Sequence, residues 1–256
     1  MIKVTLKDGS SIEVKENSTI LDVAKKISEG LARVATCGEI DGEVKDLRYE
    51  ITKDCNLTIH TFDSSLDGKK AYWHTTSHIM AQAVKRLFPG VKFAIGPSID
   101  NGFYYDFDVE KPFTDEDKEK IEAEMKKIIK ENLPIERFVL PKDEALKLME
   151  GQPYKQELIN DLPEGEEIDF YKQGDFTDLC AGPHLVSTGK VKAIKILSSS
   201  GAYWRGDEHN KMLQRIYAIS YPKASQLEEY LQFLEDAKQR DHRKIGKELE
   251  LFMTHE

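Results

Sequence analysis

Three things are scarce or missing in this chain, and each removes a class of protein. Cysteine occurs three times in 256 residues, at Cys37, Cys55 and Cys180. An odd, sparse set is not a disulfide framework; it reads as reduced thiols and points to a cytosolic protein. No stretch of about 18 consecutive apolar residues exists, so no membrane-crossing helix is expected. The opening MIKVTLKDGSSIEV alternates apolar and polar residues and lacks the apolar centre of a signal peptide. Excess positive charge is also missing: 37 Lys and Arg against 46 Asp and Glu leave a net charge of −9. A general nucleic-acid coat has a basic pI, so that class is excluded, although a local basic patch for RNA is not. What remains is 39% hydrophobic and 32% charged, a soluble globular composition with enough length for two domains.

The first 62 residues read as a small module. Ile2, Val4 and Leu6 alternate with Lys3 and Thr5 at strand spacing, Asp8-Gly9 signals a tight turn, and Ile12 and Val14 resume the alternation. Ser18 or Thr19 caps an expected helix through Ser28 that ends at Gly30, with Ile20, Val23, Ala24 and Ile27 on one face. Three strand-like pieces follow, around Val34, Val44 and residues 57–59. A ββαβ order in this length suggests a β-grasp domain. Nine basic against eleven acidic residues make it no electrostatic magnet.

Residues 63–70 read as a polar link, and a second, α+β domain is expected after it. Its helices are expected over residues 74–88, from the Thr114 cap to Asn132, and from Pro141 to Gly151. Strands are expected over residues 93–107 around the Asp100-Asn101-Gly102 turn, and over 168–171, 192–197 and 212–220. From Lys223 the chain turns helical again, with Leu227, Leu231 and Leu234 in one stripe. Residues 238–244 are basic. The apolar run 249–253 has no partner in the sequence and reads as a cut through a longer protein.

The chemistry-bearing residues form two groups. His74 and His78 lie four apart in a helical segment, on one face. Asp178-Leu179-Cys180-Ala181-Gly182-Pro183-His184 puts an acid, a thiol and an imidazole on a turn. Two imidazoles from a helix with a thiol and an imidazole from a turn are four donors of the kind zinc takes tetrahedrally. The same four side chains also suit a metal-free polar site, and Cys180 with His184 fits a nucleophile–base pair. Taken singly, a histidine pair is more often surface filler and a lone cysteine a buried hydrophobe. Lys155, after Gln152-Pro153-Tyr154, is on sequence alone more often solvated than catalytic. Tyr203-Trp204-Arg205 reads equally as a stacking platform for a base or as core.

Taken together, these motifs closely resemble the bacterial threonyl-tRNA synthetase family. The resemblance rests on His74-x-x-x-His78, the run 94–106 with Tyr104 and Tyr105, Asp178-x-Cys180-x-Gly182-Pro183-His184, and Gly201-Ala202-Tyr203-Trp204-Arg205-Gly206-Asp207. The segments 211–217 and 240–247 belong to the same pattern, so it covers essentially the whole chain. It implies a ubiquitin-like TGS domain over 1–62, an editing domain with an antiparallel sheet over 63–224, and a linker helix with the start of an aminoacylation core over 225–256. The ATP, magnesium and catalytic zinc of that core would lie outside this chain.

The activity the resemblance implies is hydrolysis of seryl-tRNA(Thr). Serine is threonine without one methyl, and a pocket discriminates against a missing methylene by only about 1–3 kcal/mol, so a second, smaller site must remove the error. In that reading His74, helped by Lys155, works on the attacking water. Asp178 pairs with the seryl ammonium, while His78, Cys180 and His184 line the pocket. Tyr105 and Tyr104 help to seat the ester. His74, His78, Cys180 and His184 are the candidate metal ligands, with zinc and no metal both open. The partner is the acceptor end of tRNA(Thr), steered by Lys192, Lys195, Arg205, Lys211 and Arg215. The resemblance further implies a cytoplasmic protein with no membrane contact, a homodimer at full length, and a monomer as an open state for this stretch.

Overall fold

A computed structural model describes residues 1–239. The basic stretch from Arg240 onward, the apolar run 249–253 and the start of the expected core lie outside the described residues.

The N-terminal domain grows from the alternation in its sequence. Strands β1 (Ile2–Leu6) and β2 (Ser11–Val14) pair antiparallel across a turn in which Gly9 holds φ +83°. β3 (Ser18–Thr19) feeds α1 (Ile20–Ile27), where Thr19 and Asp22 form a reciprocal capping box. The structure departs from expectation next. Gly30 does not end the helical region and Val34 is not in a strand, because α2 (Glu29–Val34) follows directly. Ser28 caps it by accepting from Leu31 N at 3.0 Å, which restarts a helix that glycine alone would discourage. β4 (Ala35–Ile40), β5 (Glu43–Lys45), β6 (Glu50–Ile51) and β7 (Cys55–Thr61) complete the domain. The sheet order is β2-β1-β7-β4-β5, with β1 parallel to β7, and β3 pairs β6 apart from it. Ile20 and Val23 of α1 pack on Val4 and Leu57 of the sheet, and Leu47 closes the core. This is the expected β-grasp arrangement.

The second domain is built around α3 (Leu66–Leu87). This helix starts at Leu66 rather than His74, so the polar link shrinks to residues 63–65. Its first turns are polar in sequence, but Ser65 caps them by accepting from Gly68 N at 2.9 Å. Gly68 also lets the helix lie against the end of β7, since a Cβ there would stand 2.0 Å from Thr61 O. From Ala71 to Val84 nearly every side chain is buried, His78 included, as suits a helix covered on all sides.

β8 (Lys92–Phe93), β9 (Ser98–Ile99) and β10 (Gly102–Asp108) follow, then α4 (Asp115–Glu131), capped by Thr114 and closed by left-handed Asn132. β11 (Ile135–Leu140), α5 (Lys142–Leu148), α6 (Pro153–Asp161), β12 (Ile168–Gln173) and β13 (Phe176–Leu179) form the middle of the domain. β14 (Ala193–Tyr203), β15 (Met212–Tyr221) and α7 (Ala224–Gln239) end it. One antiparallel sheet runs β14-β15-β10-β8, with β9 beside β10, and another runs β11-β12-β13. Residues of α3, α4, β10 and β15 share one core, including Ile79, Met80, Ile121, Met125, Phe103 and Ile216. Helix α6 was not expected, and it carries Lys155.

Candidate functional site

Two elements bring the sequence-flagged groups together. Helix α3 presents His74 and His78 one turn apart, with ring centroids 5.2 Å from each other. The segment leaving β13 carries Cys180 and His184 back over that helix. Cys180 Sγ lies 3.2 Å from His74 Nε2 and 3.1 Å from His184 Nε2. The His184 ring also lies close to both helix imidazoles, its centroid 4.4 Å from His74 and 4.3 Å from His78, tilted by 35° and 52°. The cluster's four potential ligand atoms all lie within 4.8 Å of one another.

A second group adjoins the first. Lys155 on α6 and Asp178 on β13 are both almost wholly buried and form an ion pair at 2.5 Å. Asp178 also accepts from Tyr105 OH at 2.7 Å and has His78 Nε2 at 3.5 Å. The Lys155 ammonium stands 5.5 Å from the centre of the Tyr105 ring. The expectation of a solvated lysine therefore fails: the packing of α6 turns Lys155 inward, onto the one carboxylate able to compensate its burial.

These groups open on a cleft of about 350 Å³. His74, His78, Lys155, Asp178 and Cys180 form its polar side, and Ile95, Gly96, Pro97 and Ser98 face them. His184 and Tyr105 do not reach it. Both are 0% exposed, His184 behind the imidazoles and Tyr105 beneath Asp178. Tyr104 is not brought to the site at all: its ring lies under the Arg215 guanidinium at 3.8 Å and against Tyr217. Successive residues of β10 point to opposite faces, so only one of the two tyrosines can serve the cleft.

Burial sets the electrostatics. It pushes His74 down to about 3, an effect that the neighbouring His78 reinforces, and pushes His78 down to about 3 as well, with the Lys155 charge adding to it. His184 is also held well below its ordinary value by burial and by its two imidazole neighbours. The three rings are thus neutral at pH 7, the state in which imidazole ligates a metal or accepts a proton. Burial pushes the Cys180 thiol up to about 12. A protonated thiol is a poor nucleophile, so the 3.1 Å approach to His184 does not by itself make Cys180 an attacking group.

Zinc fits the donor set, with three neutral imidazoles and a thiol that can lose its proton to the metal. The same spacings are also ordinary sulfur–nitrogen hydrogen bonds. Thr75, which the sequence reading did not single out, fixes one ring. Its hydroxyl donates to Ala71 O at 2.9 Å and accepts from Leu185 N at 2.8 Å. With its proton committed, Thr75 Oγ1 can only accept from His184 Nδ1, 3.4 Å away. That leaves the lone pair of His184 Nε2 facing Cys180. A small hydroxyl residue one position after His74 was the available signal.

Four of the five basic residues expected to steer RNA are already paired with acids: Lys195 with Glu122, Arg205 with Glu157, Lys211 with Asp108 and Arg215 with Asp106. Trp204 is core rather than platform, 5% exposed against Tyr154. Among the described residues no helix is long and apolar enough to cross a membrane.

The architecture defines a β-grasp domain joined to a histidine–cysteine cleft domain, and comparison with known proteins gives both a family. The TGS domain profile matches residues 2–61, and the profile of the threonyl and alanyl tRNA synthetase second additional domain matches residues 168–217. Along essentially its whole length the chain is similar to part of several threonine–tRNA ligases. It is 65% identical over 258 aligned residues to a threonine–tRNA ligase of Acetivibrio thermocellus, covering 100% of this chain and 40% of that protein. A threonine–tRNA ligase of Caldanaerobacter subterraneus subsp. tengcongensis is 62% identical over 98% of this chain and 39% of its own length. One from Clostridium perfringens is 60% identical over 100% of this chain and 40% of its own. The chain thus spans about 40% of the length of these relatives.

Proposed function

We propose that the cleft hydrolyses the ester bond of a mischarged aminoacyl-tRNA, seryl-tRNA(Thr), whose acceptor end enters it. One observation carries this reading. The histidine–cysteine cluster and the buried Lys155–Asp178 pair converge on one small cleft, in a chain that matches the second additional domain of threonyl and alanyl tRNA synthetases. Ligation of threonine, with its ATP and metals, is proposed for the part of the relatives' length that this chain does not span.

The reaction needs a held ester, an oriented water and a proton path. Water attacks the ester carbonyl carbon, the bond from that carbon to the ribose oxygen breaks, and the water's proton ends on that oxygen. His74, half-buried at the cleft and neutral, accepts a hydrogen bond from the water and passes the proton on. The Lys155 ammonium is the cation nearest the developing oxyanion. Asp178 does two things: it holds Lys155 inside the protein, and it offers the one carboxylate on the cleft wall to the seryl ammonium. Since Oδ1 already meets Lys155 and Oδ2 meets Tyr105, the substrate amine joins an existing network rather than a free acid. With zinc in the site, His74, His78, Cys180 and His184 would hold the ion, His74 would then be a ligand rather than the water's base, and the metal would supply Lewis acidity at this wall instead. Gly96 and Pro97 face the imidazoles across the cleft, and it is against that wall that the extra methyl of threonine would be excluded.

The test is release of serine against release of threonine. Purified protein is expected to free serine from seryl-tRNA(Thr) and leave threonyl-tRNA(Thr) intact, and equal rates on both, or none on either, would sink the reading. Replacing His74 by alanine (H74A) should slow the seryl reaction by about 100-fold or more. Metal analysis, with rates before and after chelation, separates the zinc form of the site from the metal-free one.

A further inference from the structure

The backbone that carries His184 belongs to no strand or helix, so its polar groups must find partners elsewhere. Those of His184 and Leu185 all do, in side chains. His184 N donates to Asp46 Oδ2 at 3.1 Å, and His184 O accepts from Arg48 Nη1 at 3.2 Å. Leu185 N donates to Thr75, and Leu185 O accepts from Arg48 Nη2 at 2.7 Å. Arg48 Nη2 reaches across to Ile135 O as well, at 2.5 Å. Three of the four groups are therefore held by the β-grasp domain, from the short loop between β5 and β6.

That loop is itself rigidly built. Asp46 Oδ1 accepts from Arg48 N at 2.9 Å and pairs with Arg48 Nη1 at 2.7 Å. Its other oxygen also takes Tyr171 OH at 3.1 Å. Tyr171 in turn packs its ring on His184, centroids 4.3 Å apart. The Asp46–Arg48 pair thus grips the His184 backbone on both its N–H and C=O sides and sets the aromatic wall behind its ring.

We infer that Asp46 and Arg48 are positioning residues for the histidine–cysteine cluster, making the β-grasp domain a structural part of the cleft. The inference rests on the deacylase reading for its activity readout, but not for its structural one. Releasing the clamp lets His184 drift from Cys180 and from the two α3 imidazoles, and misplacement near 1 Å at a reacting centre costs on the order of 100-fold. Substrate-binding residues are untouched, so the loss falls on turnover rather than on affinity.

The test uses the whole chain with D46N, R48Q and R48K, and K190A as control. Lys190 Nζ bonds to Arg33 O at 3.0 Å, so K190A removes another contact between the domains without touching His184. Two quantities are measured: the kcat and KM for seryl-tRNA(Thr), and the ring-nitrogen NMR resonances of His184. D46N and R48Q are expected to lower kcat about tenfold or more with KM within twofold, and to shift the His184 resonances. R48K should recover part of the rate, and K190A should match the parent. If R48Q fails to fold, R48K carries the test, because it keeps the charge but can reach one carbonyl at most. Unchanged kcat together with unmoved His184 resonances in folded variants overturns the clamp and leaves the deacylase reading standing. A parent chain without deacylation whose His184 resonances still shift in D46N and R48Q overturns the deacylase reading and leaves the clamp standing.

Discussion

Lys155 and Asp178 show what burial demands of single residues. Each has 3–4% of its side chain exposed, and neither charge is tolerable alone in that setting. Replacing Lys155 by methionine leaves Asp178 uncompensated, and a loss of about 3–5 kcal/mol in unfolding free energy by urea titration is expected. Removing both charges together, in K155M/D178N, should cost less than K155M alone. The histidines give a pH dependence at the same scale. His74 and His78 titrate near 6.5 when unfolded but are held at about 3 when folded. Between those values the unfolded chain binds more protons, so stability falls as pH falls through that window. Metal-free protein should therefore show a declining melting temperature from pH 6.5 downward, and a flat profile across that range would contradict the burial of these rings. The sequence displayed the imidazole and thiol spacings openly, because helical and turn geometry are local. It hid the burial of Lys155, since a lysine's environment is decided by what packs over it, and it could not separate Tyr104 from Tyr105 without the face of β10.

Elements meet here at glycines chosen for closeness rather than for flexibility. Gly96, in the loop between β8 and β9, lies against the ring of Tyr105, and a Cβ there would come 2.1 Å from a ring carbon. The G96A substitution should displace Tyr105 and weaken its bond to Asp178. A cost of about 1–3 kcal/mol is expected from overpacking, with a fall in seryl-tRNA hydrolysis that a surface substitution of equal stability cost does not cause. Paired denaturation and rate measurements check this. Most of these elements were legible: the β1–β2 hairpin from alternation and Asp-Gly, α4 from its Thr114 cap and its stripe of Ile121, Met125 and Ile128. The failures have physical reasons. The start of α3 is polar, and its stability comes from a cap and from a close approach to β7. Helix α2 depends on a second serine cap. Helix α6 is short, and its small apolar set gave no periodic signal.

The whole molecule couples its two domains through more than a tether. The first turns of α3 lie on β7, Lys190 reaches Arg33, and the Asp46–Arg48 pair holds the second domain's backbone. Heat or denaturant should accordingly unfold both domains in one transition, with circular dichroism and tryptophan fluorescence superimposing. Both tryptophans, Trp73 and Trp204, belong to the second domain, so a fluorescence transition offset from the far-ultraviolet one would show independent unfolding. The β-grasp order and the α+β class were readable from composition and periodicity. The joint was not, because Asp46 and Arg48 resemble any turn acid and surface arginine until the backbone 136 residues later is set beside them.

That joint bears on how such proteins can be recombined. Grafting the first sixty residues of a distant relative onto this cleft is not a neutral exchange of modules. A donor lacking an acid and a guanidinium two positions apart at the end of its fifth strand would leave the bend around His184 with one orphaned amide and two orphaned carbonyls. A hybrid of that kind should fold yet proofread poorly, and restoring those two side chains in the donor is the smallest change that should bring fidelity back.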